Sequence, residues 1–463
     1  MVSPGPIPLN PCDYLYFTHH ELQLKKSQPG NIAFMVFDVA GDIDAEKLIR
    51  ALAGVFQLHP ALLAGLKISL TKGRPYWKVQ AVDATASEAA ARKACRRVDL
   101  RNERDAPAAF LRLIEVHLGE AWPLSAGPKM RIDHALMPGG TSRFAILWPH
   151  LFTDAEGAQW FLTQLSRQLA ENSPDQADDY PEGLTGDQRP IDVLDGYGLS
   201  HRVSLFRRGL GLQKQHGGLK VKQVLDGAAK PGNVCRLIHR EWGGDALLKI
   251  QQNAKKWTPP GPALYARFLG ACVFRALHRI YQREGVETEA YLMPLPLSVL
   301  AMSQEGDVQR ERPLLGNYLV SPVLCATREI VEDRAALASE LSRQLIEYRR
   351  SRAHLMQWAM VWMAAKMRSG VYRWVLKRPM GFEKLASGFS YYGEISDPLR
   401  LLGGFKVTNL WGSGPMPVPP GWNPVFSRFA DKLNLGLTYC SPTVSDELAR
   451  SYAGAIEEEI LAS

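Results

Sequence analysis

His150 is the residue whose position in the sequence most favours a catalytic role. Of the 11 histidines, it is the only one that is followed four residues later by an aspartate, Asp154. Because aspartate makes up about one residue in twenty, a chain with this many histidines contains such a pair by chance roughly two times in five. The spacing alone is therefore a weak signal, and the elements on either side of His150 must decide its meaning.

Those elements are a predicted strand followed by a predicted helix. Residues 142–148 read as a strand, and residues 154–170 have apolar residues at helical spacing: Trp160, Phe161, Leu165 and Leu169. A histidine at such a junction lies at the edge of a sheet, where its side chain can project into a cleft. A neutral imidazole there can act as a general base near neutral pH. The alternative is a hydrogen-bonded loop histidine with no chemical role.

Both halves of the chain have mixed α/β character. In the first half, a strand at 31–39 precedes a helix that Asp44 caps. The second half has a helix at 263–282, a strand at 290–293 and a long helix from about residue 335. An alternating strand at 433–439 then precedes a terminal helix that begins at Thr443 or Ser445.

Two unusual stretches divide these halves. The stretch 171–195 is acidic and interrupted by prolines, and 201–232 is basic and punctuated by glycines. We therefore predict an N-terminal domain at 1–185, a connector at 186–233 and a C-terminal domain at 234–463.

Composition limits the possible partners and cofactors. The 463 residues are 46% hydrophobic and carry a net charge of +8, and this positive charge favours anionic partners. Because no nucleic-acid-binding motif is present, small phosphorylated molecules are better candidates than nucleic acid. The six cysteines are far apart and form no Cys-x-x-Cys pair, so neither structural zinc nor a disulfide framework is expected. Since the chain shows no secretory signal and no apolar run of about 20 residues, we expect a cytoplasmic protein.

A basic, tryptophan-containing stretch extends from Arg343 to Arg378. It fits an acidic carrier protein, the phosphates of coenzyme A or a membrane surface. The favoured interpretation is a core helix with a solvated basic face.

The segment around His150 resembles the His-x-x-x-Asp signature of the chloramphenicol acetyltransferase-like superfamily. This superfamily includes peptide-synthetase condensation domains, wax ester synthases and BAHD acyltransferases. Further likenesses to it are the opening segment 8–13, the strand-to-helix segment 41–48, the "hPaL" turn at 58–62, the Gly-Asn segment at 315–318 and the strand end at 407–412.

The resemblance implies an α/β fold of two chloramphenicol acetyltransferase-like subdomains, each a mixed sheet with helices, with a tunnel between them. His150 would lie at the midpoint of the tunnel and let the acceptor attack a thioester directly. Asp154 would be structural and hold its loop through an arginine, for which Arg310 and Arg312 are candidates.

The attack puts negative charge on the carbonyl oxygen, so a fixed hydrogen-bond donor at that spot lowers the barrier. Thr408 and Asn409 are the candidate oxyanion or substrate contacts. The alternative is that they are polar residues that close a strand.

Three departures from the superfamily pattern matter. Pro149 stands at the position of the first histidine of the motif, and Ala155 at that of the glycine after the aspartate, where the added methyl group is expected to narrow the tunnel. The "ND" helix start of wax ester synthases and the "DFGWG" segment of BAHD enzymes are both absent. The sequence therefore matches the patterns of wax ester synthases and BAHD enzymes poorly.

The resemblance therefore implies an acyltransferase that moves an acyl group from a coenzyme A or carrier-protein thioester to a hydroxyl or amine. We expect no permanently bound cofactor and no metal, a small-molecule acceptor, an acyl carrier protein as a candidate partner, no nucleic acid and a monomer. The alternatives are a non-catalytic carrier- or ligand-binding protein of the condensation-domain type, and a lipid acyltransferase that binds a membrane surface.

Overall fold

The computed structural model describes residues 6–25, 30–171, 190–214, 216, 218–225, 232–261, 263–303, 316–377, 384–395, 397–414 and 418–462. Helices in these ranges are α1 (Pro11–Lys25), α2 (Ala45–Leu58), α3 (Ala84–Ala94), α4 (Ala106–Gly119), α5 (Ala155–Glu171), α6 (Leu199–Lys214), α7 (Gly244–Trp257), α8 (Leu264–Arg283), α9 (Val299–Ser303), α10 (Arg328–Glu332), α11 (Arg334–Arg350), α12 (Ala353–Ala364), α13 (Ser369–Leu376) and α14 (Asp446–Leu461).

Strands in the same ranges are β1 (Ile7–Pro8), β2 (Ile32–Val39), β3 (Gly65–Ile68), β4 (Pro75–Lys78), β5 (Cys95–Asp99), β6 (Arg131–Met137), β7 (Thr141–Pro149), β8 (Val234–Gly243), β9 (Ala290–Pro294), β10 (Leu297–Ser298), β11 (Leu319–Val320), β12 (Val323–Thr327), β13 (Ser390–Glu394), β14 (Leu401–Leu402), β15 (Phe405–Ser413), β16 (Trp422–Phe429) and β17 (Lys432–Ser441).

Two larger sheets organise these elements. The first has six strands in the order β14-β15-β2-β7-β6-β5, of which only the β5–β6 pair is parallel. The second has four strands in the order β13-β16-β17-β8, with β13 parallel to β16. The smaller sheets are β1-β4-β3, β10-β11 and β12-β9.

Strand β2 illustrates how the sequence builds the first sheet. Its residues alternate between two apolar clusters, with Phe34 and Val36 on one face and Met35 and Phe37 on the other. This period of two places a central strand between two buried layers. One of these layers includes α2, which is capped by Asp44 through a hydrogen bond from the backbone N–H of Lys47 (2.8 Å).

Most elements predicted from periodicity are present. The strands at 31–39 and 142–148 correspond to β2 and β7, the helices at 154–170 and 263–282 to α5 and α8, and the strand at 290–293 to β9. The alternating strand at 433–439 is β17, and Ser445 caps the terminal helix α14. The long helix expected from about residue 335 is α11, which ends at Arg350 before α12 begins.

The predicted connector and domain boundary do not coincide with a division between the two larger sheets. Residues 199–214 form α6, which packs along α12, so the basic stretch is not simply a linker. In addition, β14 and β15 come from the C-terminal half of the sequence but complete the sheet that contains β2 and β7. The boundary between 185 and 234 therefore does not separate the two sheets. Most of the acidic stretch, 172–189, lies outside the described residues.

In the described ranges no helix is both long and apolar enough to span a membrane.

Candidate active site

The turn that carries His150 is fixed at both ends. Strand β7 ends at Pro149, which pairs with Ile32, and the backbone N–H of His150 donates to the carbonyl of Asn31 (2.9 Å). At the start of α5, Asp154 Oδ1 accepts the N–H groups of Glu156 (3.1 Å) and Gly157 (3.3 Å), which makes Asp154 the N-cap.

A second segment, residues 316–318, lies beside this turn. The N–H of Gly316 donates to the carbonyl of Phe152 (3.1 Å), and the N–H of Tyr318 donates to Asp154 Oδ2 (3.1 Å). Gly316 has φ +115°, and a Cβ atom there would lie 2.5 Å from Asn10 Nδ2. Both the backbone conformation and the space therefore require glycine at this position.

Asn317 is the residue through which this segment contacts His150. Its Oδ1 lies 2.9 Å from His150 Nδ1, and its Nδ2 donates to the backbone carbonyl of His150 (2.7 Å). The same Nδ2 donates to Asp13 Oδ1 (2.8 Å), which also accepts the backbone N–H of Asn317 (2.7 Å). Four hydrogen bonds thus join His150, Asn317 and Asp13.

Helix α1 supplies Asp13 and one further contact with the imidazole. Tyr16, one turn after Asp13, stacks on the His150 ring with centroids 4.3 Å apart and an interplanar angle of 15°. Asp13 is itself held by Asn10, because Asp13 Oδ2 accepts the N–H of Asn10 (3.2 Å) and Asn10 Oδ1 accepts that of Asp13 (2.8 Å). The His150 ring is therefore restrained on one face and at Nδ1.

His150 lines a cavity of about 1520 Å³. One part of its wall comes from α1, the end of β7 and the start of α5, and another from α11, α12 and the segments 292–298, 319–325 and 384–392. Exposed residues line it on both sides, Glu156 on α5 and Arg343 and Glu347 on α11. His150 itself is half-buried, so its ring is accessible from the cavity.

Burial dominates the electrostatics of the site. It lowers the pKa of His150 below the ordinary histidine value, while hydrogen bonds to its own carbonyl and to Asn317 and the charge of Asp154 act in the opposite direction. Burial also raises the pKa of Asp13 to about 8, although the hydrogen bonds from Asn317 and Asn10 oppose this shift. The pKa values of the Tyr16 and Tyr392 hydroxyls are likewise raised by burial, and both residues line the cavity.

The structure brings His150 and Asp154 together but separates them from Thr408 and Asn409. The last two lie in the part of β15 that pairs with Asp38, whereas His150 follows the residue that pairs with Ile32. Six residues of β2 separate these positions, which corresponds to about 20 Å. Neither residue lines the cavity.

Thr408 and Asn409 have other partners. Thr408 is exposed and donates to the carbonyl of Asp38 (3.4 Å). Asn409 is buried and donates to Glu241 (2.6 Å) and Asn434 (3.1 Å), so it links β15 to the four-stranded sheet. Arg310 and Arg312, the candidate partners of Asp154, lie outside the described residues. Ala155, the departure expected to narrow the tunnel, does line the cavity.

Sequence reasoning did not identify Asp13, Tyr16, Asn317 or Tyr392 as site residues. Asp13 and Asn317 do lie in two segments that carry the resemblance, so their motif membership was a usable signal. Tyr16 could have been found from its position one helical turn after Asp13. No comparable signal marks Tyr392, which is half-buried on β13.

Metal-binding and thiol chemistry gain no support in the described ranges. No group of three or more histidine, cysteine or acidic side chains there is arranged to hold a metal ion. The six cysteines are free thiols, and burial raises the pKa of the cavity-lining Cys12 and Cys325. Burial raises the pKa of Cys272 as well, as is usual for a thiol in apolar surroundings.

No protein-family model and no curated protein matches this chain. Solved structures do match it over nearly its whole length. The first condensation domain of the CDA synthetase has a TM-score of 0.71 and 15% identity, with 99% of this chain and 97% of that chain covered. A trichothecene 15-O-acetyltransferase from Fusarium sporotrichioides has a TM-score of 0.71 and 12% identity, with 98% and 95% covered.

A starter condensation domain of the rhizomide synthetase, a mutant in complex with C8-CoA and Leu-SNAC, has a TM-score of 0.64 and 14% identity, with 98% of this chain and 94% of that chain covered. The TM-scores of 0.64–0.71 establish a shared fold, and identities of 12–15% carry the likeness no further. The prediction is thus confirmed at the level of fold: this chain has the two-subdomain α/β fold of these condensation domains and of the acetyltransferase.

Proposed function

We propose that this protein is an acyltransferase that moves an acyl group from a thioester to a hydroxyl or amine acceptor, with His150 as the general base. The observation that carries the proposal is the position of His150, which is restrained by Tyr16 and Asn317 and lines the large cavity. The shared fold with condensation domains and an acetyltransferase supports the same reaction class.

The proposed reaction needs one proton acceptor. His150 takes the proton from the acceptor O–H or N–H while the acceptor heteroatom forms a bond to the thioester carbonyl carbon. The tetrahedral intermediate then breaks its C–S bond, and the imidazolium returns the proton to the departing sulfur. The products are an ester or amide and a free thiol, and His150 is again neutral.

The burial of His150 suits this role because a lowered pKa keeps the imidazole neutral at neutral pH. The tyrosine hydroxyls at the site stay protonated because burial raises the pKa of Tyr16 and Tyr392, so they can donate hydrogen bonds to bound substrate. The thioester is a substrate, and its handle is coenzyme A or the phosphopantetheine arm of a carrier protein. A net charge of +8 favours either phosphorylated handle.

The proposal is tested by incubating the protein with a panel of acyl-CoA thioesters and of alcohol and amine acceptors, and measuring the release of thiol that depends on the acceptor. His150→Ala should reduce turnover by a factor of about 10²–10⁴, the usual contribution of a general base, while its circular dichroism and urea midpoint stay close to those of the wild type.

His59→Gln is a matched control. His59 is also half-buried, and burial lowers its pKa to about 4, but it does not line the cavity. It should keep wild-type turnover. Full activity of folded His150→Ala would refute the base assignment. If the wild type binds an acyl-CoA in a thermal-shift assay but never releases thiol with any acceptor, the protein is the non-catalytic binding protein instead.

A further inference from the structure

The orientation of the Asn317 side chain is determined by its surroundings. Its Nδ2 lies 2.7 Å from the carbonyl oxygen of His150 and 2.8 Å from Asp13 Oδ1. A backbone carbonyl can only accept a hydrogen bond, and Asp13 Oδ1 already accepts the backbone N–H of Asn317. If the amide were flipped, its oxygen would face two acceptors, so the nitrogen must occupy this position.

This orientation leaves Asn317 Oδ1 facing His150 Nδ1 at 2.9 Å. Because an amide oxygen cannot donate a hydrogen bond, the hydrogen between them must belong to His150 Nδ1. A neutral imidazole carries one N–H, so its other nitrogen, Nε2, then holds the lone pair. No residue in the described ranges forms a hydrogen bond with Nε2, and the ring is accessible from the cavity.

We propose that Asn317 is a positioning residue that holds neutral His150 as the Nδ1–H tautomer, with Asp13 holding the Asn317 amide in the required orientation. The inference deepens the proposed function, on which its catalytic meaning rests, because it adds two residues that position the general base. Asp13 and Asn317 support His150 without touching substrate.

Asp13 is well placed for this role. It is 1% exposed, and its Oδ1 accepts two N–H groups of Asn317 while its Oδ2 accepts the N–H of Asn10. Asn10 Nδ2 also donates to the backbone carbonyl of Asn317 (3.1 Å). The opening segment of the chain and residues 316–318 are therefore joined by hydrogen bonds on both the main chain and the side chain of Asn317.

The backbone carbonyl of His150 also acts on its imidazole, and Nδ1 is the ring nitrogen that is closer to it along the side chain. This contact favours the same tautomer, so the experiment must separate the two contributions. Asn317→Leu removes the side-chain acceptor and leaves the carbonyl. Asn317→Asp keeps an oxygen facing Nδ1, although its second oxygen would face the acceptors that Nδ2 now serves.

The test is nitrogen NMR of the free protein with labelled histidine, which reports the tautomer without requiring turnover. The His150 signals are assigned by their loss in His150→Gln. We expect the wild type to show an Nδ1–H, Nε2-lone-pair pattern. Asn317→Leu should show a mixture of both neutral tautomers and a kcat lowered by about 10- to 100-fold with a smaller change in KM. Asn317→Asp should retain the Nδ1–H pattern.

Asn253→Leu is the matched control for lost stability. Asn253 is buried, and its Nδ2 also donates to two backbone carbonyls, those of Ile460 (3.1 Å) and Ala462 (2.9 Å), far from His150 in the sequence. This variant should lower the urea midpoint while leaving the His150 tautomer unchanged.

An Nε2–H pattern in the wild type would overturn the tautomer assignment. An unchanged pattern in folded Asn317→Leu would show that the His150 carbonyl alone fixes the tautomer and would remove the role of Asn317. These results are independent of the proposed function: a protein with the Nδ1–H pattern but no turnover would contradict the acyltransferase proposal while leaving the tautomer assignment intact.

Discussion

At the residue scale, the burial of His150 has a kinetic consequence. The protonated imidazole cannot accept a proton, so activity must fall as pH decreases through the pKa of this group. Because burial lowers that pKa, the acid limb of kcat/KM should have its midpoint below the ordinary histidine value of about 6.5. A pH profile of acceptor-dependent thiol release, measured with an alcohol that does not itself titrate in this range, checks the prediction.

The Asn317→Asp variant sharpens this measurement. A carboxylate beside Nδ1 stabilises the imidazolium, so the acid limb should move to higher pH than in the wild type. An acid limb in the wild type at or above pH 6.5 would contradict the effect of burial. A profile that is flat in this range would argue against a histidine base altogether.

Sequence patterns predict His150 and mark the segments that contain Asp13 and Asn317, but they do not predict the contacts between these residues. The strand-to-helix junction marks His150 because local periodicity fixes its place at a sheet edge. Asn317 is 167 residues away, and its contact with His150 depends on how the chain returns to the site. Thr408 and Asn409 illustrate a second limit, since a polar strand end looks the same in the sequence whether it faces substrate or, like Asn409, another sheet.

At the element scale, Asp154 connects two segments that meet at the site. One of its oxygens caps α5, and the other accepts the N–H of Tyr318. Asp154→Ala should lower the free energy of unfolding by about 2 kcal/mol, roughly half from the lost cap and half from the Tyr318 N–H left without its acceptor. Urea denaturation checks this.

Asp154→Asn separates the two contributions. Asparagine is also a good N-cap, but its amide nitrogen would face the N–H of Tyr318, so only that contact is lost. This variant should lose about 1 kcal/mol. If Asp154→Ala is as stable as the wild type yet inactive, Asp154 has a chemical role and the structural interpretation is wrong.

The elements themselves were largely predictable, with instructive exceptions. Apolar periodicity predicts helices α2, α5 and α8 and strands β2, β7 and β17. In each of them the apolar residues recur at the spacing that its type of element requires, so the signal lies within a short stretch of sequence. Helix α6 was missed because its sequence is rich in basic residues and contains glycine, and one of those glycines, Gly209, serves close packing: a Cβ there would lie 2.7 Å from the Met360 side chain on α12. Strand β15 has a strand pattern but no local signal for which sheet it joins.

At the scale of the whole molecule, β15 joins the two sheets. It belongs to the six-stranded sheet, yet Trp411 stacks on His239 of β8 with ring centroids 4.0 Å apart, and Asn409 and Asn434 exchange hydrogen bonds. Residues of both sheets are therefore packed against each other through buried aromatic and amide contacts. Such long-range pairing cannot be inferred from one sequence because register between distant strands is set by packing.

Several of the histidines buried in this framework should make the molecule sensitive to acid. Burial lowers the pKa of His20, His59, His134 and His239 to about 4 in each case. In the unfolded chain these groups titrate at about 6.5. Between about pH 6.5 and 4 the unfolded state therefore binds protons that the folded state does not, and stability must fall as pH decreases. The pKa of Asp13 is raised to about 8, so over this window the folded state holds a proton that the unfolded state releases, and stability rises as pH decreases. This single group only partly offsets the effect of the four histidines.

Urea midpoints measured at about pH 7, 5.5 and 4.5 should decrease steadily for the wild type. His59→Gln removes one of the four groups without adding a charge, so its midpoint should fall less steeply over the same interval even if it starts lower at neutral pH. Parallel curves for the two proteins would mean that His59 titrates alike in the folded and unfolded states, in contradiction to its burial against Trp160, whose ring centroid lies 4.7 Å away.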